Sequence, residues 1–399
     1  MMKPLFDSLE EIDFSKEILE NGELISDKLN LLRTEQYPPN AQKGLRLFSS
    51  NEVADFIGVT QNHIKKLHLD GKGPSPEVTA SGRRFYSAQQ MLELREYLDK
   101  NGRSQQYVPH RKNGEILQVI SVVNFKGGSG KTTTAAHLAQ YLALTGHRVL
   151  AIDLDPQASL TALHGIQPEL DQNPSLYEAL RYDDQRKPIS GLIRSTNFPG
   201  LDIVPANLEL QEYEYDTPLA ASSKSSDGRF FFTRITNALK EVDDKYDVVI
   251  IDCPPQLGYL TLTSLSASTA VLITVHPQML DVMSMSQFLL MLGGILESIK
   301  EAGAAVKLKW FRYLVTRYEP QDNPQAQMTG FLQALFNKRM LKNQMLKSTA
   351  ISDAGITKQT LYEVERNNFT RATYDRALES LNAVNGEVVE LVHKAWGRK

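Results

Sequence analysis

Cysteine is almost missing from this chain of 399 residues: Cys253 stands alone, which excludes an intramolecular disulfide and a cysteine-cluster metal site and fits a reducing compartment. Charge of one sign is not in excess either, since 44 Lys and Arg against 47 Asp and Glu leave a net charge of −3. Bulk electrostatics therefore does not draw the chain to nucleic acid, and any such binding has to come from local patches. No apolar run reads as approaching the length of a membrane span, and the opening Met1-Met-Lys-Pro-Leu-Phe6, followed by acids, does not read as a signal peptide. With 41% apolar and 23% charged residues, the expectation is a soluble, cytoplasmic, globular protein with room for two or three domains.

What the chain does have is one dense stretch, Val119-Ile-Ser-Val-Val-Asn-Phe-Lys-Gly-Gly-Ser-Gly-Lys-Thr-Thr-Thr134. A β-branched apolar run feeds a glycine loop, and Lys131 with Thr132 opens a predicted helix through Ala135, Leu138, Ala139 and Leu142. That is a phosphate cradle on a strand-to-helix turn. Gly127, Gly128 and Gly130, with the backbone of Ser129 and Thr133, let N–H groups approach an anionic oxygen, and the helix N-terminus adds partial positive charge. Lys131 is then placed to reach terminal phosphates and Thr132 to put its hydroxyl on Mg²⁺. The pattern departs from GxxxxGK[ST], because Phe125 stands where the first glycine belongs and a second lysine, Lys126, stands at the loop's entrance.

From about residue 115 onward, strand-like and helix-like runs alternate, which predicts an α/β fold, a doubly wound parallel sheet with ligands at the carboxyl ends of its strands. Arg148-Val-Leu-Ala-Ile-Asp-Leu-Asp-Pro-Gln157 is a strand ending in Asp153 and Asp155, and Tyr246-Asp-Val-Val-Ile-Ile-Asp-Cys-Pro-Pro255 is another ending in Asp252. Aspartate commonly ends strands as a turn residue, but three carboxylates beside a phosphate loop suit Mg²⁺ and an attacking water. Cys253 reads as a small strand-end residue rather than a nucleophile. Residues 201–208 read as a strand and loop, 271–277 and 310–316 as further strands, 221–228 as a mobile serine-rich segment, and Met279, Met283, Met285 and Met291 as core packing.

Upstream, residues 8–34 carry apolar positions at helical spacing, broken or kinked around Asn21-Gly22, either as a dimer contact or packed on the chain itself. Residues 45–100 follow another plan. A capped helix, a glycine turn at Gly58, a second helix through His63 and Leu67, and a hairpin around Ser81-Gly82 have helix-turn-helix spacing with a wing. The side chains placed to meet DNA are Thr60, Asn62, His63, Lys65 and Lys66 on the second helix and Arg83 and Arg84 in the wing. His63 and His68 have no confirming cluster to make them metal ligands. Residues 101–116 read as a linker. Farther on, residues 305–350 hold eight basic side chains, Lys338, Arg339 and Lys342 among them, against Glu319 and Asp322. The last helix, about 367–396, reads as packing against the sheet, with a membrane-targeting tail as the rival.

These motifs resemble the ParA/MinD class of deviant Walker A ATPases. Lys126-Gly-Gly-Ser-Gly-Lys-Thr132 looks like its phosphate loop, Asp153-Leu-Asp-Pro-Gln-Ala-Ser159 like its switch I, Asp252-Cys-Pro-Pro-Gln-Leu-Gly258 like its Walker B and switch II, and Thr316-Arg-Tyr-Glu-Pro320 like its loop near the adenine. Residues 47–98, with Arg-Arg-Phe-Tyr before a helix, look like a MerR-type winged helix-turn-helix. Length and loop together are most similar to the RepA branch of RepABC plasmid replicons. The resemblance implies an ATP hydrolase that partitions plasmids, in which Lys126 crosses a sandwich homodimer to the partner's nucleotide, Asp155 orients the hydrolytic water, Asp252 holds Mg²⁺ through water and Asp153 supports that shell. It also implies stimulation by a ParB-like (RepB) partner, non-specific binding to nucleoid DNA through the basic carboxyl-terminal region, operator binding and autorepression through the amino-terminal module, and no membrane partner. Four segments follow: 1–44 helical, 45–100 winged helix-turn-helix, 101–116 linker and 117–399 ATPase. The rivals are a MinD-like membrane ATPase and a transcription regulator that only senses nucleotide. The nitrogenase iron-protein branch is excluded, since one cysteine per subunit cannot hold its cluster.

Overall fold

The computed structural model describes residues 13–36, 43–102, 106–167, 174–222, 228, 230–301 and 306–398. The chain divides into two units at Lys43 and Gly44. The first contributes α1 (Phe14–Gln36), one continuous 23-residue helix. The break expected at Asn21-Gly22 does not occur. A single glycine inside a helix costs only about 1 kcal/mol relative to alanine, less than giving up the ladder hydrogen bonds on either side. Phe14, Ile18, Leu19, Leu24 and Ile25 are all exposed. The start of the expected helix, residues 8–12, lies outside the described residues.

The second unit opens with β1 (Phe48–Ser49), α2 (Ser50–Ile57), α3 (Gln61–Leu69), β2 (Glu77–Val78), β3 (Arg84–Tyr86) and α4 (Ala88–Asn101). Local chemistry sets each boundary. Ser49 and Glu52 form a reciprocal capping box, Gly58 ends α2 in the left-handed conformation, Thr60 caps α3, and Ser87 with Gln90 caps α4. The three strands pair antiparallel in the order β1-β3-β2.

This module does not hang on a free tether. Its core of Phe48, Val53, Ile57, Ile64, Tyr86, Met91, Leu94 and Leu98 is continuous with that of the following domain. The Phe56 ring meets Tyr141 at 5.8 Å, and buried Arg95 donates to the carbonyls of Phe56 and Tyr107. Burial lowers its pKa to about 10. The described part of the expected linker, residues 106–116, is likewise strapped down. The Arg111 N–H donates to Asp247 Oδ1 at 2.9 Å, and Arg398 donates to the Pro109 and His110 carbonyls while pairing with Glu115 at 2.6 Å. Polarity here signals backbone carbonyls satisfied by arginine rather than slack.

The rest is a seven-stranded sheet, β4 (Gln118–Val123), β5 (Val149–Asp153), β6 (Arg194–Ser195), β7 (Leu201–Val204), β8 (Val248–Asp252), β9 (Ala270–Val275) and β10 (Trp310–Val315). The order is β10-β9-β4-β8-β5-β7-β6, parallel except at the β6 edge. Strands β4, β5, β8 and β9 are buried at every residue, as a sheet covered on both faces requires. The flanking helices are α5 (Lys131–Leu144), α6 (Ser159–Leu163), α7 (Tyr177–Leu180), α8 (Glu212–Ser222), α9 (Arg234–Lys240), α10 (Tyr259–Ala267), α11 (Met279–Glu301), α12 (Asn323–Phe336), α13 (Thr349–Ile356) and α14 (Arg371–Ala395).

Two expectations change at α11. Only Met285 of its methionines is buried, beside Phe288 and Leu292, whereas Met279, Met283 and Met291 are exposed. The helix is also long and apolar enough to cross a membrane by length and composition. One row of its residues covers the sheet, and the opposite row stays apolar without being covered. Of the segment expected to be mobile, Ala221 and Ser222 end α8, and residues 223–227 lie outside the described residues. Helix α14 lays Ala377, Leu381, Val384, Val388 and Val392, in the helix layer beside α5, into a core cluster that also holds the sheet residues Leu272, Trp310 and Leu314.

That layer hides histidines. His147 Nε2 lies 3.2 Å from His393 Nε2, with Trp396 beside them, and His137 Nδ1 lies 2.7 Å from the Thr133 carbonyl. Burial is the main cause that drives His137 down to about 4 and His147 down to about 3. Between pH 6.5 and those values the unfolded chain binds more protons, so these groups stabilise the fold above pH 6.5 and lose that contribution as pH falls toward 3. Each pH unit of that window carries about 1.4 kcal/mol for each histidine. Buried Asp153 and Asp252, whose pKa values are raised, act in the opposite sense. The histidine part is therefore a difference: the fall in denaturation midpoint from pH 7 to pH 4.5 is expected to be shallower in His147→Gln than in the parent protein. Equal slopes would contradict it.

Candidate active site

The glycine loop joins the end of β4 to α5, and its shape is set by the neighbouring strand ends. Gly130 has φ +81°, which favours glycine, and a Cβ there would sit a tight 3.3 Å from Thr316 Cβ. The Thr316 hydroxyl donates to the Ser129 carbonyl at 2.8 Å, that of Thr274 to Ser129 Oγ at 3.1 Å, and Arg317 Nη1 to the Gly128 carbonyl at 3.0 Å. The ends of two strands, β9 and β10, thus hold one loop in shape. Beside it lies a cleft of about 550 Å³ lined by Gly127, Gly128, Gly130, Lys131, Thr132 and Thr133, with Asp155, Pro255, Thr316 and Arg317 across from them.

Lys131 is buried, and its Nζ donates to the Lys126 carbonyl at 3.2 Å. Desolvation lowers its pKa, opposed chiefly by the charge of Asp252. Asp153 and Asp252 are partners across β5 and β8, both fully buried. They have different surroundings. Asp153 accepts from the Thr161 N–H and hydroxyl at 2.8 and 2.7 Å and from the Asp155 N–H at 3.1 Å, so its oxygens are spent on holding the turn after β5. Burial still pushes it up to about 7. Neither oxygen of Asp252 has a hydrogen bond of full geometry among the described residues, the Thr132 hydroxyl being the side-chain donor that approaches it. Burial, then the charge of Asp153, raise its pKa well above the usual carboxylate range, and Thr132 and Lys131 oppose the rise.

An orphaned buried carboxylate behind a threonine hydroxyl is what a hard divalent cation relieves, so these residues fit Mg²⁺. No group of three or more His, Cys, Asp or Glu side chains forms a metal cage among the described residues. A cation here would draw its remaining oxygens from phosphate and water, as Mg²⁺ usually does. Asp155 lines the cleft half-buried, its Oδ1 accepting from the Gln157 N–H at 3.0 Å, and burial raises its pKa while Lys131 lowers it. Cys253 is buried and pushed up to about 12 by desolvation, a poor nucleophile.

Lys126 does not line this cleft. Its ammonium pairs with Asp281, at the start of α11, at 3.0 Å, and the other oxygen of Asp281 faces His276 at 3.8 Å. The residues expected to meet DNA fall at two places. Thr60, Asn62, His63, Lys65 and Lys66 lie exposed along α3, and Arg83 is exposed and Arg84 half-buried at the hairpin. Thr60 also caps α3 by accepting the His63 N–H at 3.2 Å. Lys338, Arg339 and Lys342 are exposed, with Arg339 over the Phe311 ring at 4.2 Å, and Lys338 and Lys342 line a second cleft with Arg312 and Lys394. Sequence reasoning missed one wall of the first cleft, Met345 to Ser348 with Ile351 and Ser352. The Met345 N–H donates to the Val315 carbonyl and the Tyr318 N–H to the Met345 carbonyl, a pairing with no local motif.

Known proteins agree with this geometry. An AAA domain family matches residues 117–303. A Sinorhizobium fredii protein named "Putative replication protein A" is 73% identical, with 97% of this chain and 96% of that protein covered. Protein SopA of Escherichia coli is 27% identical over 90% of this chain and 92% of its own length, and the chromosome partitioning protein ParA of Myxococcus xanthus is 32% identical over 60% and 78%. Among solved structures, a cobyrinic acid a,c-diamide synthase from Mycobacterium smegmatis with a bound ATP analogue and magnesium has a TM-score of 0.50 at 27% identity, covering 60% of this chain and 95% of that one. A structure titled "Partition Protein" shares the fold at TM-score 0.54 and 20% identity, covering 91% of this chain and 99% of that one. With the phosphate loop, the paired strand-end aspartates and these relatives together, the chain belongs to the ParA-type family of P-loop partition proteins.

Proposed function

We propose that the protein is a plasmid partition ATPase that binds ATP and Mg²⁺ in the cleft above β4, β5 and β8 and hydrolyses ATP to ADP and phosphate. The observation that carries this reading is Asp252, fully buried with no hydrogen bond of full geometry among the described residues and approached only by the Thr132 hydroxyl at the phosphate loop. Lys131 and the loop N–H groups bind phosphate, Thr132 and Asp252 hold the cation, Asp153 braces the turn that carries Asp155, and Asp155 orients the attacking water. The bound cation supplies charge neutralisation of the phosphates.

In this reading Lys126 acts across a homodimer, which requires it to leave Asp281. Lys126→Ala is expected to bind ATP within about twofold of the parent protein and to lose ATP-dependent dimerisation, read by light scattering or analytical ultracentrifugation. Dimerisation at unchanged ATP concentration would remove Lys126 from this role. Residues 45–100 act as a winged helix-turn-helix on operator DNA for autorepression, and Lys338, Arg339 and Lys342 act on nucleoid DNA without sequence preference and with strong salt dependence. A ParB-like partner stimulates turnover. The deciding assay is the ATPase rate with DNA and with the amino-terminal peptide of that partner, each present and absent. Joint stimulation supports partition, and indifference to both favours a regulator that only senses nucleotide. Membrane spanning is not part of this reading, because α11 would strip Met285, Phe288 and Leu292 from the sheet; ATP-dependent pelleting with vesicles would count against it.

A further inference from the structure

Helix α10 begins at Tyr259 directly after the loop that leaves Asp252, and its N-cap position is Gly258, which has no side chain to cap with. The first N–H groups of a helix need acceptors. Here they come from another helix. Glu214 on α8 accepts the Tyr259 N–H through Oε2 at 2.8 Å and the Leu260 N–H through Oε1 at 3.0 Å. The fit is close, since a Cβ at Gly258 would lie 2.4 Å from Glu214 Oε1. Glycine at 258 is therefore the space into which a carboxylate from α8 is inserted.

The pairing is rigid at both ends. Next to Glu214, the fully buried Tyr213 puts its hydroxyl 3.1 Å from Thr263 Oγ1 on α10. Farther along α8, Asp216 accepts from the Tyr177 hydroxyl at 2.6 Å. On the loop side, Thr261 Oγ1 donates to the Gln256 carbonyl at 2.7 Å, and Pro255 forms part of the cleft wall. Only residues 253–257 separate Asp252 from the capped turn. A carboxylate on two N–H groups at a helix N-terminus is favoured both by hydrogen bonding and by the helix dipole.

We infer that Glu214 is a positioning residue: by capping α10 from outside, it fixes the Asp252–Gly258 loop and so holds the Asp252 carboxylate and the Pro255 wall in register with the phosphate loop. This rests on the reading of Asp252 as the residue behind Mg²⁺. Glu214 itself does not line the cleft, so it acts through Asp252 and Pro255 and not on the reacting groups.

The test relocates the cap. In the full-length protein, Glu214→Ala is expected to lower kcat about tenfold, to raise the Mg²⁺ concentration for half-maximal activity several-fold and to leave ATP affinity within about twofold. Without nucleotide, amide exchange over residues 253–262 is expected to accelerate. The double variant Glu214→Ala/Gly258→Asp supplies a local cap where the backbone, at φ −102° and ψ −172°, already has the extended conformation of N-cap residues. It is expected to return kcat and exchange to within about threefold of the parent, whereas Gly258→Asp alone stays impaired because its side chain meets Glu214. Should the alanine variant not fold, Glu214→Gln, which keeps one acceptor, takes its place with a smaller shift in the same direction. Unchanged kcat and exchange in the single variant, or a double variant as slow as the single, would overturn the inference. If the parent protein itself shows no turnover, the ATPase reading fails instead, and amide exchange alone decides the role of Glu214.

Discussion

Lys131→Ala is expected to abolish measurable ATP binding, with affinity lowered at least about 100-fold, roughly 2.8 kcal/mol, and hydrolysis lost with it. The size follows from where the ammonium sits. Lys131 is 6% exposed and opposed by the charges of Asp252 and Asp155, so its attraction for a phosphate acts where water screens little. Its Nζ donates to the Lys126 carbonyl, a neutral acceptor that a charged phosphate oxygen outcompetes. Direct titration with ATP or a non-hydrolysable analogue measures the loss. Retained affinity within tenfold would show that the loop amides, not this ammonium, carry binding. The fold itself is expected to survive, since removing a desolvated charge offsets part of what its absence costs Asp252.

Asp155→Ala is expected to give the opposite division: ATP binding and dimerisation near parental levels, with kcat lowered about 100-fold or more. Asp155 reaches the cleft from the turn after β5, and its Oδ1 accepts the Gln157 N–H, so the carboxylate retains an acceptor for water. Burial raises its pKa, so protonation on the acid side is expected to slow turnover at higher pH than an ordinary aspartate would. Single-turnover kinetics beside equilibrium binding separates the two steps. A variant that hydrolyses normally would move the water-orienting role elsewhere on the cleft wall.

Much of the site was legible because its parts are short and local. The glycine loop, Lys131, Thr132 and the strand-end aspartates each declare themselves within a few residues, and β5 and β8 place Asp153 opposite Asp252 by simple parallel pairing. The roles of two similar aspartates were less legible. Asp153 and Asp252 look alike as letters, yet Thr161 and the Asp155 amide satisfy one, while only the Thr132 hydroxyl approaches the other. The methionines of α11 failed for a related reason: apolar identity does not say which row of a helix meets the sheet, and three of four lie on the uncovered side. Within the expected linker, the fastening of the described residues 106–116 was not legible, because arginines far away in sequence, or aimed at distant carbonyls, hold a polar segment that has no periodicity of its own.

By itself the amino-acid sequence determined the phosphate loop, the alternation that makes a parallel sheet and the caps that start α2, α3 and α4. Those depend on backbone geometry and hydrogen bonds reaching no more than a few residues. Only the tertiary structure decided that Lys126 rests on Asp281, that residues 345–348 wall the cleft, and that Glu214 completes the helix behind Asp252. Each of those joins residues far apart along the chain, and partners at such separations are chosen by packing and by the demand that buried polar groups be satisfied, which no local pattern records.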